Sequence, residues 1–210
     1  DSWKDITLKK YLDLQADLEN YRDDEEAQSA FVLYHLCGID LSQVKGIKAK
    51  SYAAIIKTLN DFMAKTDLPL QRFVMIDGVE YGFEPNLSTM AYGAYLDITK
   101  YDTFTIDDNW AKIMSVLYRP IIQEKEGMYL IKTYDATDNS EKFLELGMDI
   151  HFGALFFFVN LSTDLQIYTL NSLMQTEETT QDYNTTSLKN GSLTQLLLNS
   201  RMETLRKLTK

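Results

Sequence analysis

The sequence is poor in the residues that build metal centres and covalent catalytic sites. Its 210 residues include one cysteine, two histidines, nine glycines and three prolines. Only three cysteine and histidine side chains exist, whereas a structural zinc site uses four such ligands, so this kind of site is almost excluded. Cys37 stands alone, so no intrachain disulfide can form, which favours a reducing compartment.

Long apolar runs and phosphate-binding loops are also missing. The most apolar stretch, residues 148–161, is shorter than the ~20 residues that cross a bilayer, so it predicts a core helix and no membrane span. The segment Gly46-x-Lys48-Ala49-Lys50-Ser51 lacks the glycine spacing of a phosphate-binding loop. The sequence therefore predicts no cofactor.

Two acidic clusters could be taken for cation sites. Residues 135–141 (DATDNSE) lack the glycine and the distant glutamate that a calcium loop of the EF-hand kind requires. The run Asp23 to Glu26 precedes an apolar pattern of helical period, where carboxylates favour the positive end of a helix. Both clusters are better explained by helix capping, so no metal ligand is predicted.

The charge is unevenly distributed along the chain. The whole sequence carries −10, with 31 acidic and 21 basic residues. From Leu188 onward, five basic residues stand against Glu203 alone, a net +4, which leaves −14 for the preceding 187 residues. An acidic body repels phosphate groups, so nucleic acid is not an expected partner of the body.

Most of the chain has a helical pattern. Hydrophobic residues make up 45% and charged residues 25%, which is typical of a globular domain. Thr7 is a predicted N-cap, Gly38 a predicted helix end and Pro69 a predicted stop after a helix that opens at Ser51. Further caps are predicted at Ser88 or Thr89, at Asp107 or Asp108, and at Asp138 with Glu141.

Two segments favour β structure. Asp77-Gly78 separates two β-rich runs, which predicts a hairpin at 73–83. Residues 121–134 suggest a second strand pair around Gly127, after a helix that Pro120 is predicted to end. The fold class is therefore α+β and mostly α.

The longest predicted helix runs from Asp149 to about Gln175. Its first half is apolar on nearly every side, which is typical of a central core helix. The alternative is a buried strand at Leu155 to Val159. His151 lies beside Phe152 in this apolar run and is predicted to be a core histidine with its hydrogen bonds satisfied.

The C-terminal part is predicted to be separate from the domain at 1–175. Residues 176–191 contain few apolar residues and predict a flexible linker. Residues 192–210 predict an amphipathic helix with Arg206, Lys207 and Lys210 on its polar side. Arg201 lies inside the apolar half and needs an acidic partner or must snorkel. The predicted partner-binding residues are Leu193, Leu197, Leu198, Met202, Leu205 and Leu208, with Arg201 and Arg206.

The sequence favours no reaction class, and no catalytic residue is predicted. Cys37 and His151 could act as nucleophile and base if the fold joined them, but Cys37 is expected to be a small buried hydrophobe. His35, two residues from Cys37, is expected to point elsewhere on its helix. Paired carboxylates of a glycosidase type stay open because acidic residues are plentiful.

The order of short motifs resembles that of small proteins from the structural gene modules of tailed bacteriophages, some of them tail assembly chaperones. The resemblance covers roughly residues 3–165. It is carried by Trp3-x-Asp5-Ile6-Thr7-x-x-x-Tyr11-x-x-Leu14, Leu36-x-Gly38, Asp77-Gly78, Leu87-Ser88-Thr89-x-x-x-Gly93-x-Tyr95-x-Asp97, Trp110-x-Lys112-Ile113-Met114-x-Val116-Leu117-Tyr118-x-Pro120 and the phenylalanine-rich helix from Phe152.

The resemblance implies a non-enzymatic role in virion assembly, in the virion or the host cytoplasm. The implied partners are other phage structural proteins, with self-association in a ring as a further expectation. Such a protein would be either a chaperone or a packaged component. Two alternatives remain: a hydrolase that uses clustered carboxylates, and a peripheral protein whose basic amphipathic helix at 192–210 lies on a membrane surface.

Overall fold

The computed structural model describes residues 2–64 and 68–179, and side chains up to residue 170. The fold is α+β and mostly α, with a four-stranded antiparallel sheet, as predicted. Its elements are α1 (Leu8–Asn20), α2 (Glu25–Cys37), α3 (Leu41–Val44), α4 (Ala49–Met63), β1 (Phe73–Ile76), β2 (Val79–Phe83), α5 (Tyr92–Thr99), α6 (Trp110–Leu117), β3 (Tyr118–Lys125), β4 (Met128–Ile131), α7 (Glu141–Leu144) and α8 (Met148–Thr179).

The predicted ends of the first two helices are confirmed. The Thr7 side chain accepts a hydrogen bond from the Lys10 amide, and the Asp24 side chain accepts one from the Ala27 amide. Gly38 ends α2 at a φ of 67°, a left-handed conformation that glycine adopts without strain. The acidic run before α2 therefore serves as a helix start.

Several other predicted caps are wrong. The helix predicted to open at Ser51 begins at Ala49. Ser88 and Thr89 belong to a short 3-10 turn, and α5 begins after Ala91. The residue before α6 is Asn109, and Asp107 instead accepts a hydrogen bond from the Asn109 amide. At the last two sites a short polar side chain closes a local turn, Asn86 by accepting from the Ser88 amide and Asp107 by accepting from the Asn109 amide, an alternative that competes with capping.

The two predicted strand pairs are confirmed and join into one sheet. Asp77 and Gly78 have φ values of 51° and 76° in the first turn, and Glu126 and Gly127 have 53° and 78° in the second. Left-handed residue pairs of this kind match the twist of a two-residue hairpin. Strands β2 and β3 also pair, with Tyr81 opposite Pro120. Pro120 therefore lies in a strand, and α6 ends three residues earlier, at Leu117.

The core lies between the sheet and helices α6, α7 and α8. Trp110, Tyr118 and Phe143 are among its largest fully buried side chains. Gly153 lets α8 approach residue 69 closely, because a Cβ there would lie 2.6 Å from the Pro69 carbonyl oxygen. The start of the chain is fixed beside α8 by two backbone hydrogen bonds, Leu8 to Leu146 at 3.0 Å and Met148 to Ile6 at 2.8 Å.

The chain divides into two compact units, residues 1–158 and 159–210. Helix α8 contributes to both, and its observed length shows that the strand alternative at Leu155 to Val159 is wrong. The helix ends at Thr179, four residues into the predicted linker. The second unit is described only as the helical residues 159–179. The predicted partner-binding residues of the segment 192–210 lie outside the described residues.

Helix α8 is longer than the apolar run that predicted it. By length and composition alone, residues Met148–Leu170 could cross a membrane, a test that core helices of soluble proteins also pass. Met148, His151 and Ala154 are completely buried within the first unit. This part of the helix therefore serves as a core helix.

Candidate functional site

The first unit contains an open groove of about 840 Å³ among the N-terminal turn, α1, α2 and α4. We call it the α2–α4 groove. Its apolar lining consists of Ile6, Leu36, Ile39, Ala54, Ile55, Leu59 and Phe62. Its polar lining consists of Ser2, Asp5, Lys10, Asp13, Tyr34, His35, Cys37 and Thr58, and Gly38 completes it.

The groove exists because α4 is anchored mainly near its C-terminal end. The Phe62 ring packs against Trp3 at a centroid distance of 4.4 Å, and Trp3 packs against Phe152 at 4.8 Å. Leu59, one turn earlier, is buried, whereas Ala54 and Thr58 are exposed. One face of α4 therefore turns its apolar side chains toward α2 without closing the space between the two helices.

The other wall of the groove is fixed by a contact between α1 and α2. His35 Nε2 lies 2.8 Å from Asp17 Oδ2, and the His35 side chain is almost fully buried. Gly38 then turns the chain, and the Ile39 amide donates to the Leu33 carbonyl at 3.3 Å. This helix end brings Leu36 and Ile39 to the same side of the groove.

Charged side chains stand at the edge of the groove. The Asp5 carboxylate accepts a hydrogen bond from the Ser2 amide at 2.8 Å, and the hydrogen bonds from Ser2 hold the pKa of Asp5 below its usual value. Asp13 is exposed, and among residues 2–64 and 68–179 its carboxylate forms no hydrogen bond or ion pair. The groove thus combines an apolar interior with an acidic group that is available to a partner.

One prediction about Cys37 is wrong. The thiol is exposed at the end of α2 and is not a buried hydrophobe. His35 and Cys37 both line the groove, and the His35 ring nitrogen is bonded to Asp17 on α1. Partial burial raises the pKa of the Cys37 thiol, which disfavours the thiolate. Within the described part of the chain, the sulfur has no hydrogen-bond partner that could act as a base.

His151 is the satisfied core histidine that the sequence predicts. Trp110 Nε1 donates to His151 Nδ1 at 3.2 Å, and His151 Nε2 donates to the Phe143 carbonyl at 3.1 Å. Burial lowers the pKa of His151 to about 4, so the ring is neutral at pH 7. Both ring nitrogens are occupied and the side chain is completely buried, so the structure does not bring His151 to Cys37 as a base.

Hydrogen bonds lower the pKa values of several described carboxylates. Where their pKa values shift, they shift downward, most clearly at Asp135, whose pKa falls to about 2 through hydrogen bonds from Lys132 and Thr137. A general acid at neutral pH needs a raised pKa. Residues 2–64 and 68–179 also contain no cluster of three or more side chains that could hold a metal ion.

A partly buried polar network connects the sheet to α5 and was not foreseen from the sequence. Arg119 forms an ion pair with Glu84, and its guanidinium lies 6.0 Å from the centre of the Tyr134 ring. The Tyr134 hydroxyl donates to Asp97, and burial is the main reason that its pKa rises to about 12. The pairs are 35 and 37 residues apart, so no local pattern could identify them.

The sequence gives only a partial signal for the α2–α4 groove. The apolar spacing of Ile55, Leu59 and Phe62 predicts an amphipathic α4, but it cannot show that part of this face is uncovered. The sequence does not identify Asp13 as a binding residue, because exposed acidic residues are common on helices. No protein-family model, no curated protein and no solved structure matches the chain.

Proposed function

We propose that this protein is a non-enzymatic assembly or structural protein of a tailed bacteriophage, which binds other phage proteins through helical surfaces. The observation that carries the proposal is the α2–α4 groove. It is open, largely apolar and edged by charge, which is the anatomy of a site that receives an amphipathic helix.

The chemistry around the groove supports binding more than catalysis. Its thiol has a raised pKa, its histidine is held by Asp17, and its acid Asp5 has a lowered pKa. A nucleophile would need an activated thiolate or an adjacent base, and a general acid would need a raised pKa. Apolar contact is what these side chains offer.

The phage assignment is supported by the resemblance over residues 3–165. Part of that resemblance falls on the residues that form the groove: Trp3, Asp5 and Ile6 open the N-terminal turn, and Leu36 and Gly38 end α2. The resembling motifs therefore include the N-terminal turn and the end of α2, two parts of the proposed binding site. The predicted helix at 192–210 would supply a second binding surface, through its apolar half.

The test is a comparison of two variants in the phage that encodes the chain. Ala54→Arg fills the groove, whereas Ala53→Arg places the same side chain on an exposed position of α4 that does not line it. We expect Ala54→Arg to reduce the yield of complete particles and to abolish recovery of this chain with phage structural proteins, measured by quantitative mass spectrometry. Ala53→Arg should behave as the wild type.

Two results would contradict the proposal. One is equal particle yield and equal recovery of phage proteins with both variants. The other is turnover of a small-molecule ester, glycoside or phosphate substrate by the purified chain, with loss of that turnover in Asp13→Asn. The second result would establish the carboxylate hydrolase instead.

A further inference from the structure

We propose that the α2–α4 groove receives residues 192–210 of a second copy of this chain, so that copies join head to tail. This inference rests on the proposed assembly function and names one partner for the groove.

The groove and the predicted helix at 192–210 present similar numbers of apolar side chains. The groove presents seven apolar side chains from the N-terminal turn, α2 and α4. The sequence of 192–210 predicts six apolar residues on one half of a helix, namely Leu193, Leu197, Leu198, Met202, Leu205 and Leu208. Burial of apolar side chains is favourable in water. Contact between the groove and the predicted apolar half of the helix would remove apolar area of both from solvent.

The charges provide the second argument. The first 187 residues carry −14 and the remainder carries +4, so the two parts attract. Arg201 is predicted to lie within the apolar half of its helix, where it must snorkel or meet an acidic group. Asp13 stands at the edge of an apolar groove, exposed and without a partner in the described part of the chain. An ion pair between Arg201 and Asp13 would satisfy both.

The length of chain before the segment allows it to reach a second copy. The 12 residues from 180 to 191 have the sequence of a flexible linker, whose span is roughly 20 Å. A span of this length permits docking in the same copy or in a second copy, and the mixing experiment below separates the two cases.

An association of a groove with a tail is heterologous, since each copy uses a different surface. Such contacts continue from copy to copy and produce rings when the rotation closes, or open filaments when it does not. The self-association in a ring that the resemblance implies would then be built from this one contact.

The experiment uses full-length chains and sedimentation velocity over a concentration series. The groove variant is Ala54→Arg with Ala53→Arg as its control. The tail variant is Leu198→Asp with Asn199→Asp as its control, because Asn199 lies on the polar side of the predicted helix. We expect the wild type and both controls to form concentration-dependent oligomers, and each test variant alone to stay monomeric, at least ~10-fold weaker in association.

Mixing the two test variants gives the decisive result. A chain with a blocked groove retains its tail, and a chain with a damaged tail retains its groove. The mixture should therefore form a dimer of one copy of each and nothing larger. Exchange of the two charges tests the proposed ion pair between Arg201 and Asp13. Asp13→Arg and Arg201→Asp should each weaken association about 10-fold, and the double variant should recover most of the loss.

Three results would overturn the inference. One is a wild-type chain that stays monomeric throughout. Another is a mixture without the mixed dimer, while Leu198→Asp lowers the thermal stability of an isolated chain, which would place the segment on its own unit. The last is an oligomer that Ala54→Arg leaves intact. If Ala54→Arg still abolishes recovery of other phage proteins, the proposed function stands although this inference fails.

Discussion

The core around Trp110 and the α2–α4 groove are built from similar residues, but they differ in how completely their side chains are buried and hydrogen-bonded. In the core, Trp110, Phe143 and His151 are fully buried, and every ring nitrogen among them has a hydrogen-bond partner. In the groove, Leu36, Ile39, Ala54, Ile55 and Phe62 remain at least partly exposed beside an exposed thiol, and Asp13 has no partner in the described part of the chain. The core therefore stabilises the fold, whereas the groove is the surface on which the proposed binding depends.

The difference can be tested through the free energy of unfolding. Changes in the core should cost stability, because the core is packed and its polar groups cannot reach water when a partner is lost. Changes at exposed positions of the groove should cost little stability and should reduce binding instead.

Trp110→Ala should lower the free energy of unfolding by about 3–5 kcal/mol. The substitution leaves a large cavity in the core and also removes the donor that satisfies His151 Nδ1. Denaturant titration followed by circular dichroism measures the loss. Tyr92→Ala is the matched control, because this aromatic ring is 74% exposed, and a change of similar size in the control would contradict the contrast.

Acid should destabilise the protein through His151. The folded pKa is about 4 and the unfolded value is 6.5, so below pH 6.5 the unfolded chain gains a proton that the folded chain does not. This contribution to stability is complete above pH 6.5 and is lost as the pH falls toward 4, on the order of 3 kcal/mol in total. His151→Gln should flatten the profile in this window, and equal slopes in both proteins would refute the assignment.

Gly82→Ala should cost about 2 kcal/mol through a clash on the sheet. A Cβ at this position would lie 2.6 Å from Tyr129 Cε2, and the Tyr129 ring is held by a 2.7 Å hydrogen bond from its hydroxyl to the Phe83 carbonyl. Thermal melting compares this variant with Gly46→Ala, where the nearest atom is 3.4 Å away. Equal melting temperatures of the two variants would contradict the predicted clash between a side chain at residue 82 and the Tyr129 ring.

Ala54→Arg should change the free energy of unfolding by no more than about 0.5 kcal/mol, since the residue is exposed on α4. The same variant should lose association, which separates the groove from the core. Urea titration of this variant beside Ala53→Arg provides the measurement. A loss of several kcal/mol in Ala54→Arg alone would show that the groove is part of the stabilising core.

Local patterns predicted the elements better than their assembly. Asp77-Gly78 and Gly127 marked both hairpins, because left-handed turn residues are a local property. The pairing of β2 with β3 could not be predicted, since it joins residues about 40 apart, and the same is true of Arg119 with Glu84. Pro120 was misleading because a proline that often ends a helix also fits a strand position where no amide donor is needed.

The groove shows a second limit of sequence patterns. The apolar residues of α4 predict a buried face, and the face is buried at Leu59 but not at Ala54 or Thr58. Which part of an amphipathic face is covered depends on the packing of Trp3 and Phe62, a contact between residues 59 apart. His151 was predictable because its apolar neighbours along the chain already implied burial.

Hydrogen–deuterium exchange of the full chain, in dilute and in concentrated solution, tests the central claim that contact occurs at the groove. We expect exchange to slow on association at residues 34–39 and 54–62, which line the groove, and to stay unchanged in α6 and the sheet. Slowing confined to the strands, with no change along α2 and α4, would contradict this account.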